Sequence, residues 1–418
     1  ALNTANSFHV RPKTISKYHV SEVAVIGGGL MGSGIAYRAA LAGINVNLMD
    51  VSKKINNKAI GGISKIAYKA VDRKLIAKDE ADKLMGRITP ITEYRNIKNS
   101  DLVIEAVSED IKLKQKVFSN VLENVPSSVP AASNTSTISI GKISTKLEKP
   151  ENIIGLHFFA PVERMKLVEV VKGNKTSDAT LAKALDFLSL IKKTPIVVND
   201  CHGFFTSRVV ATYTAEAITM LSEGVSPSLL DNCAIEAGMP IGPLEMADIT
   251  SLVLLKDIFI SIIGDGDQSW VKGINVLETL DKLIIDFQRT GKRDGKGIYS
   301  YRDNKLEEWS ELKLVFPSRQ NSLNNEVIEQ RLFFVQALEA ARALEEGVVE
   351  NPADADLASV LGWAFPSAYG GVLGYVDYIG IDDFVSRAYK LADEFGERFI
   401  PPSILLEMKS SGGKFHHV

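Results

Sequence analysis

Glu22-Val23-Ala24-Val25-Ile26-Gly27-Gly28-Gly29-Leu30-Met31-Gly32 is the stretch on which the reading of this chain turns. Val23 to Ile26 form a short apolar run of buried-strand type, and a glycine-rich turn follows at once. From Leu30 to Ala42 the apolar residues recur at helical spacing, and Gly43 supplies a natural C-cap. Asn45 to Asp50 reads as a second strand, closing on an acidic residue 21 positions beyond Gly29. Strand, Gly27-x-Gly29-x-x-Gly32, helix and terminal acid together make a dinucleotide-binding fingerprint, which a lone glycine motif does not. The glycines, with Leu30 and Met31, bring backbone N–H groups close to a pyrophosphate, and the helix start presents the positive end of its dipole to the same charge. Asp50 would accept hydrogen bonds from ribose hydroxyls and repel a 2′-phosphate, which favours NAD over NADP. FAD is the rival cofactor, and a ligand-free glycine turn is the bland alternative.

Further along, Asp101–Val107, Pro130–Ser133 and Ile153–Phe159 read as strands, and Lys112–Leu122 as a helix. A long Lys-rich amphipathic stretch runs from Lys53 to about Lys83. This alternation predicts an α/β Rossmann fold, a doubly wound and mostly parallel sheet with helices on both faces. After Gly203 the β pattern fades. Val209–Glu223, Ser228–Ala237, Leu252–Ile263 and the span Glu326–Phe399 read as helical. The expected layout is a linker or fragment end over 1–20, a dinucleotide-binding domain over 21–200 and a helical domain over 201–301. A polar connector over 302–325 then leads to a second helical domain over 326–418.

The two helical regions are related. Glu216-Ala217-x-x-x-Leu221-x-Glu223-Gly224 recurs as Glu339-Ala340-x-x-x-Leu344-x-Glu346-Gly347, a shift of 123 residues. Each copy continues into an Asp-bearing helix and a glycine turn, Gly242-Pro243 in one and Gly370-Gly371 in the other. We read this as duplication of a helical domain, against the simpler possibility of two unrelated glycine-capped helices.

Bulk composition narrows the function classes. The chain has 418 residues, 45% hydrophobic and 24% charged, the mix of a multidomain globular protein. A net charge of −3 with no basic block gives little support to a nucleic-acid partner. Cys201 and Cys233 are the only cysteines, which argues against a disulfide framework. No apolar run approaches the ~18–20 residues of a membrane-spanning helix, and no His/Cys cluster marks a metal site. Phe415-His416-His417-Val418 carries no recognisable address.

The candidate chemistry sits on two strands. His157 ends the run Ile153–Phe159, and Lys166–Val171 is strand-like. A hairpin centred on Glu163 would set His157 opposite Glu169 on one face. A carboxylate beside an imidazole fixes its tautomer and stabilises the imidazolium, as a general base near neutral pH requires. A histidine among phenylalanines is otherwise an ordinary core residue. Asn134-Thr135-Ser136-Thr137 follows a strand at the sheet end where such folds bind ligands, although these residues also suit a helix N-cap.

Gly27–Ala36, Asn134-Thr135-Ser136, Leu156-His157-Phe158-Phe159, Gly203-Phe204 and Gly291-x-x-x-Gly295-Lys296-Gly297-x-Tyr299 stand in the order and spacing of the L-3-hydroxyacyl-CoA dehydrogenase family, which the chain resembles. The second helical copy, with Gly362-Trp363-Ala364-Phe365-Pro366, looks like the last domain of peroxisomal multifunctional enzymes of type 1. The resemblance implies NAD-linked oxidation of a (3S)-3-hydroxyacyl-CoA in β-oxidation. It makes His157 the base, Glu169 its orienting carboxylate and Ser136 a contact to both substrate and nicotinamide. It places Asp50, Glu105, Asp110 and Arg293 at the cofactor and Arg73 at the CoA phosphates. It also implies an enoyl-CoA hydratase domain outside this chain, and a monomer whose duplicated domain mimics a dimer partner. A peroxisomal location follows from it, with mitochondrial or cytoplasmic placement as alternatives. Two positions depart from the family pattern: Ala160 stands where Asn is usual, and Ser207 where a catalytic Asn is usual. They keep open a weakened dehydrogenase serving as a nucleotide- or acyl-CoA-binding scaffold, beside a hydroxy-acid dehydrogenase with a non-CoA substrate.

Overall fold

The computed structural model describes residues 9–263, 274–303, 305–317 and 323–416. Residues 1–8 of the expected linker, 318–322 of the expected connector, His417 and Val418 lie outside the described residues. The chain forms two compact units, Leu2–Phe204 and Phe205–Val418.

The first unit is built on eight strands: β1 Glu22–Ile26, β2 Asn45–Met49, β3 Ile88–Ile91, β4 Leu102–Glu105, β5 Ala131–Ser133, β6 Ile153–Phe158, β7 Leu167–Lys172 and β8 Thr194–Asn199. They lie in the order β3-β2-β1-β4-β5-β6-β7-β8. Every neighbouring pair is parallel except β6 and β7, which form an antiparallel hairpin. Helices α1 Leu30–Leu41, α2 Lys53–Asp72, α3 Lys78–Gly86, α4 Ile111–Asn124, α5 Ile140–Ser144 and α6 Asp178–Leu190 connect them. The continuous apolar strands explain the two-sided cover: Val23, Val25, Ile104 and Ile154 are wholly buried.

Two expectations change here. The Lys-rich stretch is two helices, because Lys74 turns into the left-handed region at φ 57° and ends α2. The supposed loose linker is anchored through Arg11 and Tyr18. Arg11 places two guanidinium nitrogens 2.8 Å from the Asp186 carboxylate, and the Tyr18 N–H donates to the same group at 2.8 Å. β3, α5, α6 and β8 go beyond the elements read from the sequence.

The second unit begins with α7 Thr206–Ser222, α8 Pro227–Glu236, α9 Pro243–Thr250, α10 Leu252–Ile263 and α11 Val276–Asp281. The segment expected to lack β structure then forms a hairpin of β9 Tyr299–Arg302 and β10 Lys305–Glu308. After the short α12 Leu312–Val315 comes the second copy: α13 Asn325–Glu345, α14 Pro352–Gly362, α15 Gly374–Ile379, α16 Ile381–Phe395 and α17 Ser403–Ser411. The connector is more than a polar linker. It buries Trp309, Leu312 and Phe316, and Glu308 accepts from the Ser226 hydroxyl at 2.7 Å and the Ser228 N–H at 3.0 Å.

The duplication extends into detail. α7 packs along α13, and the second copy belongs to the same compact body as the first. In the first copy Asp231 accepts the N–H groups of Leu244 and Glu245 and the Tyr299 hydroxyl, each within 2.9 Å. In the second, Asp356 accepts the N–H of Leu373 and the ring nitrogen of His416, both at 2.6 Å. Asp248 receives the N–H groups of Ile298 and Tyr299, and Asp377 those of Phe415 and His416. The glycine turns are needed for this closeness: a Cβ on Gly242 would lie 2.1 Å from Asp231 Cγ, and one on Gly371 would lie 2.3 Å from Asp356 Cβ.

Candidate active site

The glycine turn joins β1 to α1 and leaves room for nothing but hydrogen at three of its positions. A Cβ on Gly27 would lie 2.5 Å from the Ala106 carbonyl oxygen, and one on Gly32 would lie 1.8 Å from that of Gly27. One on Gly28 would meet the Ala59 methyl at 2.8 Å. At Gly29 the space is open, and a Cβ there would have no neighbour within 4 Å. α2, α4 and α6 each carry a side-chain N-cap, from Ser52, Asp110 and Ser177. α1 has none, and no acid lies in its first turn. An uncapped helix start beside an open glycine is a cradle that a pyrophosphate fits. Leu30 is exposed and Met31 half-buried over this turn.

Asp50, just past β2, accepts the Gly28 N–H through one oxygen at 2.7 Å and the Val51 N–H through the other at 2.7 Å. It is half-buried and tied to the glycine turn, where a carboxylate can also take ribose hydroxyls. The residues present therefore suit NAD.

The β6–β7 hairpin has the register expected from its spacing, with His157 paired to Glu169. The His157 Nδ1 lies 2.9 Å from Glu169 Oε2; the histidine is 8% exposed and the glutamate 0%. A carboxylate only accepts, so Nδ1 carries the proton and Nε2 offers its lone pair. The Phe159 ring stands 4.4 Å from the imidazole and that of Phe204 6.1 Å away, which restricts water on that side. Asn134 accepts the Phe158 N–H at 3.0 Å and so fixes the turn after β5 beside the histidine strand.

Ser136 is half-buried on that turn, and its N–H donates to Glu109 at 3.1 Å. Glu109 also takes the Thr135 hydroxyl and lies 3.2 Å from Lys114. Burial would push its carboxyl upward, but Lys114 and these hydrogen bonds outweigh that and hold it below the usual carboxylate range. Glu109 and Lys114 were missed in the sequence. The available signal was an acid at the start of a helix, directly after a parallel strand.

Two of the expected cofactor contacts, Glu105 and Asp110, are engaged with protein groups. Glu105 is 0% exposed and wholly engaged beneath the surface, accepting from Ser133 Oγ at 2.6 Å, Val107 N–H at 2.7 Å and Lys114 Nζ at 2.8 Å. Asp110 spends its carboxylate as the N-cap of α4, taking the Leu113 N–H at 2.7 Å. Arg73 is the exposed C-cap of α2. Ser207 lies in the first turn of α7, and Arg293 in a short 3-10 turn at Lys292–Asp294; both belong to the second unit. Among the described residues no group of His, Cys, Asp or Glu is arranged to hold a metal, and no helix is long and apolar enough to cross a membrane.

Fold and site define a dinucleotide-binding unit of the doubly wound class that carries a carboxylate-oriented histidine. Residues 22–201 match the NAD-binding domain of 3-hydroxyacyl-CoA dehydrogenases, and residues 203–301 match their C-terminal domain. The chain belongs to the 3-hydroxyacyl-CoA dehydrogenase family. Over 416 residues it is 36% identical to the fatty acid oxidation complex subunit alpha of Shewanella loihica, covering 97% of this chain and 57% of that one. It thus spans little more than half the length of the curated relatives it matches. The 3-hydroxybutyryl-CoA dehydrogenase of Escherichia coli K12 superposes with a TM-score of 0.82 at 26% identity, covering 94% of this chain and 100% of the other. The dehydrogenase part of multifunctional enzyme 1 from C. elegans has a TM-score of 0.67 at 24% identity, covering 95% and 92%, and shares the fold.

Proposed function

We propose that this chain oxidises (3S)-3-hydroxyacyl-CoA to 3-oxoacyl-CoA within fatty-acid β-oxidation. The observation that carries the reading is the His157–Glu169 pair on a hairpin of the same sheet that carries the cofactor cradle. His157 Nε2 takes the proton of the substrate 3-hydroxyl, while Glu169 holds Nδ1–H and stabilises the imidazolium as it forms. The bound nicotinamide ring supplies the hydride acceptor. Ser136, on a turn held by Glu109 and Asn134, orients the substrate oxygen, and Ser207 is the second polarising group by family resemblance. Phe159 and Phe204 keep water from the base.

The Shewanella relative is named as a subunit of a fatty acid oxidation complex. A wider assembly belongs to this proposal: an enoyl-CoA hydratase domain outside this chain and a monomer whose duplicated domain mimics a dimer partner, both as the resemblance to type 1 multifunctional enzymes implies. A peroxisomal location belongs to the same proposal and is checked by imaging the tagged full-length protein. Steady-state NADH formation from 3-hydroxybutyryl-CoA and a medium-chain homologue tests the reaction. Saturable turnover with either supports it. Tight NADH and acyl-CoA binding without turnover would instead establish the scaffold reading, which Ala160 and Ser207 favour.

A further inference from the structure

Lys193 is 5% exposed, yet among the described residues no carboxylate pairs with it through a hydrogen bond. Its Nζ donates to two backbone carbonyls, those of Val162 and Met165. Both lie at the tip of the β6–β7 hairpin, whose own turn is closed by the N–H groups of Arg164 and Met165 on the Pro161 carbonyl at 3.0 Å. The backbone around Lys193 is anchored too, since its N–H donates to Leu188 and that of Thr194 to Lys166, each at 2.9 Å. α1 meets the same tip from the other side. Val162 is buried against Gly34, where a Cβ would approach the Val162 Cβ to 2.7 Å.

Burying an ammonium among carbonyls is an expensive way to fill space. A methionine has similar length and avoids the desolvation, but it cannot satisfy two buried carbonyl oxygens. The tip these bonds hold lies between Phe159, whose ring is tilted against the base at 4.4 Å, and β7, which carries Glu169. We infer that Lys193 is a positioning residue for the dehydrogenase reaction, acting through the hairpin tip to keep His157, Phe159 and Glu169 in register. This rests on the function proposed above only in so far as it concerns turnover.

The surroundings make the device sensitive to pH. Burial, and secondarily the Arg38 guanidinium of α1, push the Lys193 ammonium down to about 8, while Glu163 on the tip opposes them. Tyr37 on α1 faces both Arg38 and Glu163, and burial pushes its phenol up, so it stays neutral through this range. Arg38 donates to the Ile191 carbonyl at 2.5 Å, and its buried Nε has no partner among the described residues, so it adds charge without competing for the tip carbonyls. Because the folded environment disfavours the charged form relative to a solvated one, loss of the Lys193 proton tightens the closed tip.

The test compares Lys193→Met, Lys193→Arg and Gly34→Ala with the parent chain, following amide exchange of residues 159–166, NADH affinity and turnover. Lys193→Met should speed tip exchange and lower kcat about tenfold or more, as expected when a base is displaced by a fraction of an ångström, with NADH affinity unchanged. In the parent, exchange corrected for its intrinsic pH dependence should fall as pH passes about 8, because an ammonium held below its ordinary value opposes the closed tip until its proton is lost. Lys193→Met should lose that pH step, and Lys193→Arg should move it to higher pH. Gly34→Ala should reproduce the exchange and kcat changes with Lys193 intact, and it carries the test if Lys193→Met does not fold. Parent-like tip exchange in the variants, or a kcat loss with an unmoved tip, would overturn the inference. A parent chain without turnover would instead count against the proposed function, leaving the exchange measurements to decide the role of Lys193.

Discussion

Arg208 and Arg331, 123 positions apart in sequence, make the same pair of ion pairs in opposite directions. Arg208 on α7 binds Glu339 of α13 and Glu346, the C-cap of α13, with two guanidinium nitrogens 2.5 and 2.9 Å from the Glu346 oxygens. Arg331 on α13 binds Glu216 of α7 at 2.6 Å and Glu223, the C-cap of α7, at 2.7 and 3.1 Å. Residue i of one copy meets residue j of the other and the reverse, as in a two-fold interface between separate subunits. The symmetry breaks one layer out: Arg398 supplies the second cation to Glu216, whereas Arg342 of the same helix supplies it to Glu339.

Removing one side of this network should be severe. Arg331→Met leaves Glu216, 1% exposed, short of a partner and should lower stability by ~3–5 kcal/mol. Replacing Arg331, Glu216 and Glu223 together by apolar residues should recover most of the loss. Denaturant titration of the full chain reads both outcomes. A chain truncated near Arg302 should aggregate or associate, since it uncovers α7.

The second copy should loosen as pH rises. His416 is raised above its ordinary value, first by its hydrogen bond to Asp356 and then by the charges of Asp356 and Asp377, with burial opposing. Its contribution is therefore complete below about 6.5 and lost as pH climbs through the higher folded value. Asp231 and Asp248, pushed up to about 6 by burial, act at lower pH and destabilise as they ionise. Amide exchange of residues 413–416 across the neutral range should rise with pH in the parent and be uniformly fast in His416→Ala.

NADH should be preferred to NADPH by a wide margin in kcat/KM, because Asp50 would face a 2′-phosphate. Asp50→Ser should narrow the gap mainly through poorer NADH use, since it also loses the bond to Gly28. Equal use of both cofactors by the parent would implicate Lys53 and Lys54 in phosphate binding.

His157→Gln should abolish turnover with NADH affinity intact. Glu169→Gln should cost ~10²-fold or more in kcat, because an amide holds the ring without stabilising its charge. Glu109→Gln should raise KM and lower kcat together by loosening Thr135 and Ser136. Pre-steady-state hydride transfer separates these effects from product release.

Ser207→Asn should raise kcat, by as much as ~10²-fold, if an amide donor is the missing oxyanion contact. An unchanged kcat with intact acyl-CoA binding would show that the substrate is polarised by another group.

Much of this protein is set by local sequence. The Val23–Ile26 strand, the glycine turn and Asp50 specify the nucleotide fold, because each obeys a short-range steric or periodic rule. The pairing of His157 with Glu169 was equally legible, since a hairpin with fixed strand period leaves one register once its centre is known. The duplication was visible in Glu216-Ala217 and Glu339-Ala340, but its reciprocal ion pairs were not, because they join residues over a hundred positions apart. Only the tertiary structure separated Glu105 from Glu109: both are acids near the end of one strand and both pair with Lys114, but Glu105 is buried against Ser133 while Glu109 reaches Thr135 and Ser136. Lys193 likewise reads as an ordinary surface lysine until the fold closes the hairpin tip over it. Sequence fixes what backbone sterics and periodicity control within a few residues. Which charges become buried, and against which partners, depends on packing between distant segments and was decided there.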